Sequence, residues 1–336
     1  MPFGLVQGTP VKVSSGIKFG RTYSLAIQVT DEPISPTSAT PLSDTQEVTF
    51  ENRPGTNAQT GGDAVIVNYP MTLFLDIQRA TLSSSNRAYF RIMNLNQESR
   101  RRVFHDRYST NVYRQIILSA GYESDPQLPI IFQGNIVSAY SYRQKQDWIT
   151  EIEAFDGGFG QINGQVSMTV PSGYDIRNLI SNVIRTMPNV ALGAIGDVAS
   201  GEQSTRGATL MGNSWESINH LVPDANSFID NEKANVIGKN EYIETDTDPF
   251  LITAETGLLE TPRRYENRLD VKMMFEPRIS IGRLVLLNSS EKYYNGIYAV
   301  NGITHRGIIS GAVGGELVTV LSLWKGTSIL IGVQSQ

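Results

Sequence analysis

The sequence predicts a mainly β protein (β+α), with two antiparallel β-barrels flanking a small α+β middle domain. Three observations lead there. Apolar residues alternate at period two in strand-length segments near both ends of the chain. Glycines and Asn-Gly pairs separate those segments at short intervals, as antiparallel neighbours require. Between residues 172 and 221 the apolar period becomes helical. The expected domains are residues 1–160 (first barrel), 161–250 (small acidic α+β domain) and 251–336 (second barrel region).

In chain order, strands are expected over 18–29, 64–77, 89–93, 111–120, 130–142 and 148–155. The clearest is 64–77, where Val65, Val67, Tyr69, Met71, Leu73, Leu75 and Ile77 all fall on one face. It reads as a single long strand, with Pro70 marking an edge position or a bulge. Asn94 is the expected cap of a short helix running to Arg102, with Glu98 near its positive end. Residues 30–62 contain four prolines (Pro33, Pro36, Pro41, Pro54) and many Thr, Ser and Gly. Strand patterns flank them on both sides, so they read as an excursion from the first barrel rather than a linker. Val48 and Phe50, alternating with Glu47, Thr49 and Glu51, would add a short strand to a neighbouring chain.

Asp156-Gly-Gly-Phe-Gly160 ends the first strand set, and 161–170 reads as extended. Ile176, Leu179, Ile180, Val183, Ile184 and Met187 then form a helical stripe that Ser172 or Asp175 begins and Pro188 stops. Trp215, Ile218, Leu221 and Val222 indicate a second helix over 214–221. Strand pieces follow at 227–229, 233–238 and 241–243. From 267 to 324 strands return, and Asn295-Gly296 and Asn301-Gly302 signal hairpin turns.

The 336 residues are 40% hydrophobic and 18% charged, which suits a packed protein and not a disordered one. The net charge of −5 argues against a main task of gripping nucleic acid. Residues 214–260 carry ten acids and two lysines, a net of −8, so the remainder carries +3. The densest basic cluster is Arg100-Arg101-Arg102 with Arg107; it reads as a solvated face or a docking surface. No apolar run reaches the ~18 residues of a membrane helix, so no stable membrane association is expected. MPFGLVQGTP lacks the basic and apolar regions of a signal peptide, and none is expected.

Chemistry is sparse. With no cysteine, disulfides, thiolate catalysis and cysteine-ligated metals are excluded. His105, His220 and His305 are too scattered for a helix-borne metal site. Gly157-Gly-Phe-Gly160 lacks a following Gly-Lys-Ser/Thr, and Ser310 lacks the glycines of a nucleophile elbow. His305 has no carboxylate spaced to orient it. A glycosidase needs only two carboxylates, so Glu151 with Glu153 and Glu255 with Glu260 are the candidates for wall degradation. Tyr140, Tyr142 and Trp148 would serve as a stacking platform, but on strands they read as core. No catalytic, cofactor-binding or metal-binding residue is assigned, no cofactor is expected, and the chain is read as not an enzyme.

The segments 252–262 (ITAETGLLETP), 270–277 (DVKMMFEP), 294–300 (YNGIYAV) and 303–307 (ITHRG) occur in the order seen in the baseplate hubs of contractile-tailed bacteriophages. In the first half FRIMNL at 90–95, ILSAGY at 117–122, IFQG at 131–134 and ITEIEAFDG at 149–157 agree. The chain thus resembles the myovirus tail hub family over about residues 16–326, departing mainly at 30–62. The resemblance implies tail-tube-like barrels and a homotrimer forming a pseudo-sixfold ring. Such a ring adapts the hexameric tail tube to a trimeric spike. It also implies tail tube, spike, baseplate wedge and tape-measure proteins as partners, DNA that only passes through the channel, and a place in the virion after assembly in the host cytoplasm. The alternatives are a distal tail-tube-like ring protein, the hub of a phage-tail-derived particle, and a peptidoglycan-degrading tail enzyme.

Overall fold

The computed structural model describes residues 18–29, 32–33, 58–61, 64–81, 86–108, 112–197, 207–244, 249–266, 268–324 and 331–334. The first β block comprises β1 (Arg21–Gln28), β2 (Glu32–Pro33), β3 (Ala58–Gly61), β4 (Ala64–Asn68), β5 (Leu73–Ala80), β6 (Asn86–Met93), helix α1 (Gln97–Val103), β7 (Val112–Tyr113), β8 (Gln115–Tyr122), β9 (Ile130–Gln144) and β10 (Asp147–Asp156). The middle region holds α2 (Gly158–Asn163), β11 (Gln165–Val170), α3 (Ile176–Ile184), β12 (Ala191–Ile195), β13 (Ala208–Asn213), α4 (Ser214–Leu221), β14 (Ala225–Asp230), β15 (Lys233–Gly238) and β16 (Glu241–Glu244). The last block holds β17 (Phe250–Ile252), β18 (Arg263–Arg264), β19 (Leu269–Met274), β20 (Leu284–Leu287), β21 (Gly296–Ile309), β22 (Leu317–Trp324) and β23 (Ile331–Gln334).

The mainly β class stands as expected, but among the described residues no sheet closes into a ring of pairings. Instead both blocks share one 14-stranded sheet along the path β18-β19-β22-β21-β5-β6-β10-β9-β8-β1-β4-β3, with β20 on β21 and β17 on β20. The blocks join at β5 and β21, paired from Ala80 opposite Gly302 to Leu73 opposite Ile309.

The expected long strand over 64–77 is two strands. Proline has no N–H to donate, and Tyr69-Pro70 sits in a turn that Met71 N closes on Asn68 O at 3.1 Å. The alternation survives the break: Val65, Val67, Leu73, Leu75 and Ile77 are buried, while Tyr69 is exposed. In the sheet path five strands separate β4 from β5, yet four residues connect them. The arc therefore curls until its ends meet. Tyr69 N donates to Tyr23 O at 3.2 Å and Met93 N to Thr72 O at 3.0 Å at that meeting point. Inside lies a core with Leu25, Phe90, Ile116 and Phe132 from the first block, and Phe275, Ile309 and Leu317 from the last. Each such side chain contributes about 1.5–3 kcal/mol on burial.

Both described ends of the 30–62 excursion belong to the first block, since β2 pairs with β7 and β3 with β4. Val48 and Phe50 lie outside the described residues. Helix α1 is capped by Asn96, which accepts from Ser99 N at 2.8 Å, and not by Asn94. Asn94 adopts φ 57° and bonds Trp148 N and Asp147 across the sheet, ending β6 instead. Residues 161–163 are helical in α2 and not extended. Asn301-Gly302 is a bulge inside β21 and not a turn, with the register shifting between Val300 and Gly302.

In the middle region α3 and α4 match their expected stripes, capped by Asp175 and Asn213. They pack on β11–β13 and on the sheet β12-β15-β14 around Leu179, Ile180, Val183, Trp215 and Ile218. The last strand, β23, returns to pair parallel with β16.

Candidate functional site

The densest polar chemistry is buried where the middle region meets the first block. The β14–β15 hairpin turns on Asn231 and Glu232, both left-handed (φ 50° and 60°). Asn tolerates that conformation and Glu does not readily, so something must hold it. Asp156, at the end of β10, accepts Asn231 N at 2.6 Å and Glu232 N at 2.7 Å. The Glu232 carboxylate accepts from Tyr113 Oη, from Gln115 Nε2 at 2.7 Å and from Gln133 Nε2 at 2.9 Å. Beside it, Arg79 pairs with Asp230 at 3.0 Å and Asn86 donates to Ile229 O at 2.6 Å.

Burial pushes the Asp156 carboxyl well above its ordinary range, and the nearby Asp230 adds to this; the two backbone N–H groups oppose it. Burial likewise raises Glu232 against the pull of Tyr113, Gln115 and Gln133. Raised carboxyls often mark catalysis. Here both are sealed from solvent and each oxygen is occupied by the protein's own groups, so the cluster fastens a hairpin. The glycines beside it have the same purpose. Gly157 has φ 65°, and a Cβ there would stand 2.6 Å from the Ile229 side chain. A Cβ on Gly160 would strike Val190. The glycine-rich stretch permits close packing.

The residues singled out in the sequence do not converge. Burial would raise Glu151, but bonds from Tyr140, Tyr89 and Tyr142 and the charge of Arg91 outweigh it and hold its carboxyl low. Tyr140 Oη lies 2.6 Å and Tyr142 Oη 2.9 Å from its two oxygens. A general acid needs the opposite shift. Its neighbour Glu153 reaches Arg107 at 4.0 Å. Glu260 is bound by Lys272 at 3.1 Å, which holds it low, while Glu255 stands exposed. His305 is sealed in the core against Phe275, with Nδ1 2.9 Å from Thr319 Oγ1, and burial pushes it well below its ordinary value. His220 is exposed on α4, and His105 is buried beside Ala139 of β9. Among the described residues no cluster of His, Asp and Glu would hold a metal. No described helix is long and apolar enough to cross a membrane.

Tyr140 and Tyr142, read from sequence as core, stand with Glu151 on the outer sheet face instead, and Trp148, in the opposite phase at the start of β10 and also read as core, is exposed as well. The two tyrosines stack with ring centroids 6.2 Å apart, and Arg100 lies 3.8 Å over Trp148. Further along that face Phe74 and Ile308 are opposite one another, within a shallow groove of about 280 Å³ lined also by Tyr89, Arg91, Arg306 and Glu316. Its charges are matched across strands: Arg306 with Asp76 at 2.9 Å, and Arg91 with Glu151 at 3.2 Å.

The buried polar cluster escaped the sequence reading, although a signal was present. Arg79 continues the buried phase of Leu73, Leu75 and Ile77, and Asp156 that of Ile152 and Ala154. A charge in the buried phase of a strand demands a partner.

The fold resembles known tail components. The 43 kDa tail protein of prophage MuSo2 from Shewanella oneidensis aligns with a TM-score of 0.55 at 8% identity, over 82% of this chain and 98% of its own. A tail protein from Neisseria meningitidis gives 0.50 at 10% identity, over 76% and 96%. The E. coli c3393 protein gives 0.50 at 8% identity, over 77% and 75%. It is described as a type VI secretion component similar to the T4 tail proteins gp27 and gp5. No curated relative matches in sequence. The family model described as Baseplate hub gp41, however, matches residues 47–305 of the 336. With that span matched, and with a tail-protein fold around a sealed polar junction, the chain belongs to the baseplate hub gp41 family, structural components of the phage tail.

Proposed function

We propose that this chain is the hub of a contractile tail, a homotrimer whose six β blocks surround a central channel. The observation that carries the reading is the β5–β21 pairing. It fixes two antiparallel blocks of one chain in a single sheet, so three chains present six comparable units. Such a ring satisfies a sixfold tube on one side and a threefold spike on the other. Residues 1–160, 161–250 and 251–336 would be its two tube-like parts and the acidic part between them. Tail tube, spike, wedge and tape-measure proteins are the expected neighbours, in a virion baseplate assembled in the host cytoplasm.

On this reading the work is adhesion and geometry, without turnover. The ionised state of Glu151 and Glu260 supports a scaffold over a general acid. DNA passes without being held, since the outer-face arginines Arg91 and Arg306 already have carboxylate partners. The hub of a tail-derived particle without a genome is the second reading, favoured by the type VI likeness. The native mass of the purified chain, alone and with its tube and spike neighbours, tests the proposal; a chain that is monomeric in both would overturn it. Hydrolysis of purified cell wall, lost on Glu151→Gln or Glu255→Gln, would replace the scaffold with an enzyme.

A further inference from the structure

The outer surface around α1 differs from the rest of the molecule. Gln97–Val103 and the five residues after it hold four arginines against Glu98 and Asp106. Phe104 is 57% exposed, Tyr108 89% and Trp148 37%. The patch is segment 97–108 with Trp148 against its Arg100. Arg100 stacks on Trp148, His105 bridges to Ala139 of β9, and Arg107 reaches Glu153 of β10. Arg101 is exposed beside them. Arg, Tyr, Trp and Phe exposed together are the composition of an interface centre and not of an ordinary solvated face.

We propose that this patch docks on the acidic middle region of a second copy of the chain, forming the contact that closes the ring; the inference rests on the trimeric reading above. Three arguments select that occupant. Residues 214–250 of that region carry a net charge of −6, eight acids less two lysines. Asp230 and Glu232 are used in the buried junction, but Glu216 and Glu244 are exposed, as is Asp224 beside Lys239, so the chain bears both halves of a complementary pair. A two-fold contact of the patch with itself would oppose arginine to arginine. A head-to-tail contact joins basic to acidic, and this heterologous type of interface is the one that closes rings. Nucleic acid is the weaker occupant, because the twelve residues 97–108 carry only four positive charges less two negative ones on an acidic chain.

The test measures the mass of the full chain against concentration for three variants. Arg101→Glu with Tyr108→Ala changes the basic side, Glu216→Lys with Asp224→Lys changes the acidic side, and the third chain carries all four changes. All four sites are exposed, so unchanged thermal unfolding confirms intact folds. Each one-sided variant is expected to need at least tenfold more protein to form the trimer, and the four-fold variant to regain much of that loss. A wild-type trimer whose one-sided variants assemble at the parental concentration would overturn this inference alone. A wild-type chain that is monomeric alone and with its neighbours would overturn the trimeric reading beneath it. Sub-micromolar duplex binding lost in the basic-side variant, with no change in trimer mass, would reassign the patch to nucleic acid.

Discussion

Two seams hold this molecule together, and they are built from opposite materials. Between β5 and β21 the seam is a backbone ladder with buried apolar side chains, Leu73, Leu75 and Ile77 on one strand and Ile303 and Ile309 on the other. Between β10 and the β14–β15 hairpin it is polar, with Asp156 and Glu232 enclosed among amides, a phenol and backbone N–H groups. The apolar seam is non-directional and tolerates small adjustments. The polar seam loses heavily if any member is removed, because its other members stay buried. Register precision is thus concentrated at the hairpin tip, and bulk adhesion at the shared sheet.

The sharpest way to break the comparison is Leu73→Asp. It places an unpaired charge in the apolar seam and should cost about 5 kcal/mol or more. Chemical denaturation should show loss of the cooperative transition; a soluble variant with near-parental melting would refute the face assignment. Asp156→Ala comes next. It leaves the Asn231 and Glu232 N–H groups unsatisfied and should cost about 3 kcal/mol. Its effect should reach the hairpin first, seen as faster amide exchange in β14–β15 than in β21.

A smaller effect separates the seams by pH. Asp156 and Glu232 have raised carboxyls in the fold, so their contribution is complete below about pH 4, the ordinary carboxylate range, and is lost as pH rises through the raised values. Glu276 has the opposite sign. Burial would raise it, but Arg278 and Lys18 hold it low, so its contribution is present above about pH 4.5 and fails on acidification. Amide exchange between pH 5 and 8, corrected for intrinsic rates, should show the hairpin tip opening more readily relative to β21 as pH rises. A constant ratio would erase the distinction. The smallest expected change is Arg306→Ala. Its surface pair with Asp76 should be worth no more than about 0.5 kcal/mol, with the melting temperature nearly unchanged.

Sequence pattern revealed the apolar seam's side chains but not its partner. The alternation through 64–77 marked Val65, Val67, Leu73, Leu75 and Ile77 correctly on both sides of Pro70 but not Tyr69, which the turn exposes. It said nothing of β21, because a period of two records burial and not which strand lies alongside. The helices α3 and α4 were legible because their stripes and caps are local. The polar seam was illegible for the converse reason. Asp156, Tyr113, Gln115, Gln133 and Glu232 come from four separate parts of the chain, and only the charges of Arg79 and Asp156 in the buried phase of their strands hinted at them. The tyrosines around Glu151 were misread because aromatic residues favour strands on either face.

The pairing of β5 with β21 also sets a schedule for biosynthesis. Thr72 and Ser310, which meet at the end of that ladder, are 238 positions apart. At typical rates of synthesis the second partner emerges roughly 10–50 s after the first. From the completion of β10 until β21 emerges, β5 is a free edge of a first block whose own strands have already been made. Free edges invite pairing with other chains, and long-range ladders form slowly. The nascent first block is therefore the aggregation-prone stage of this protein's life, and the last block acts on it as an internal chaperone that arrives late.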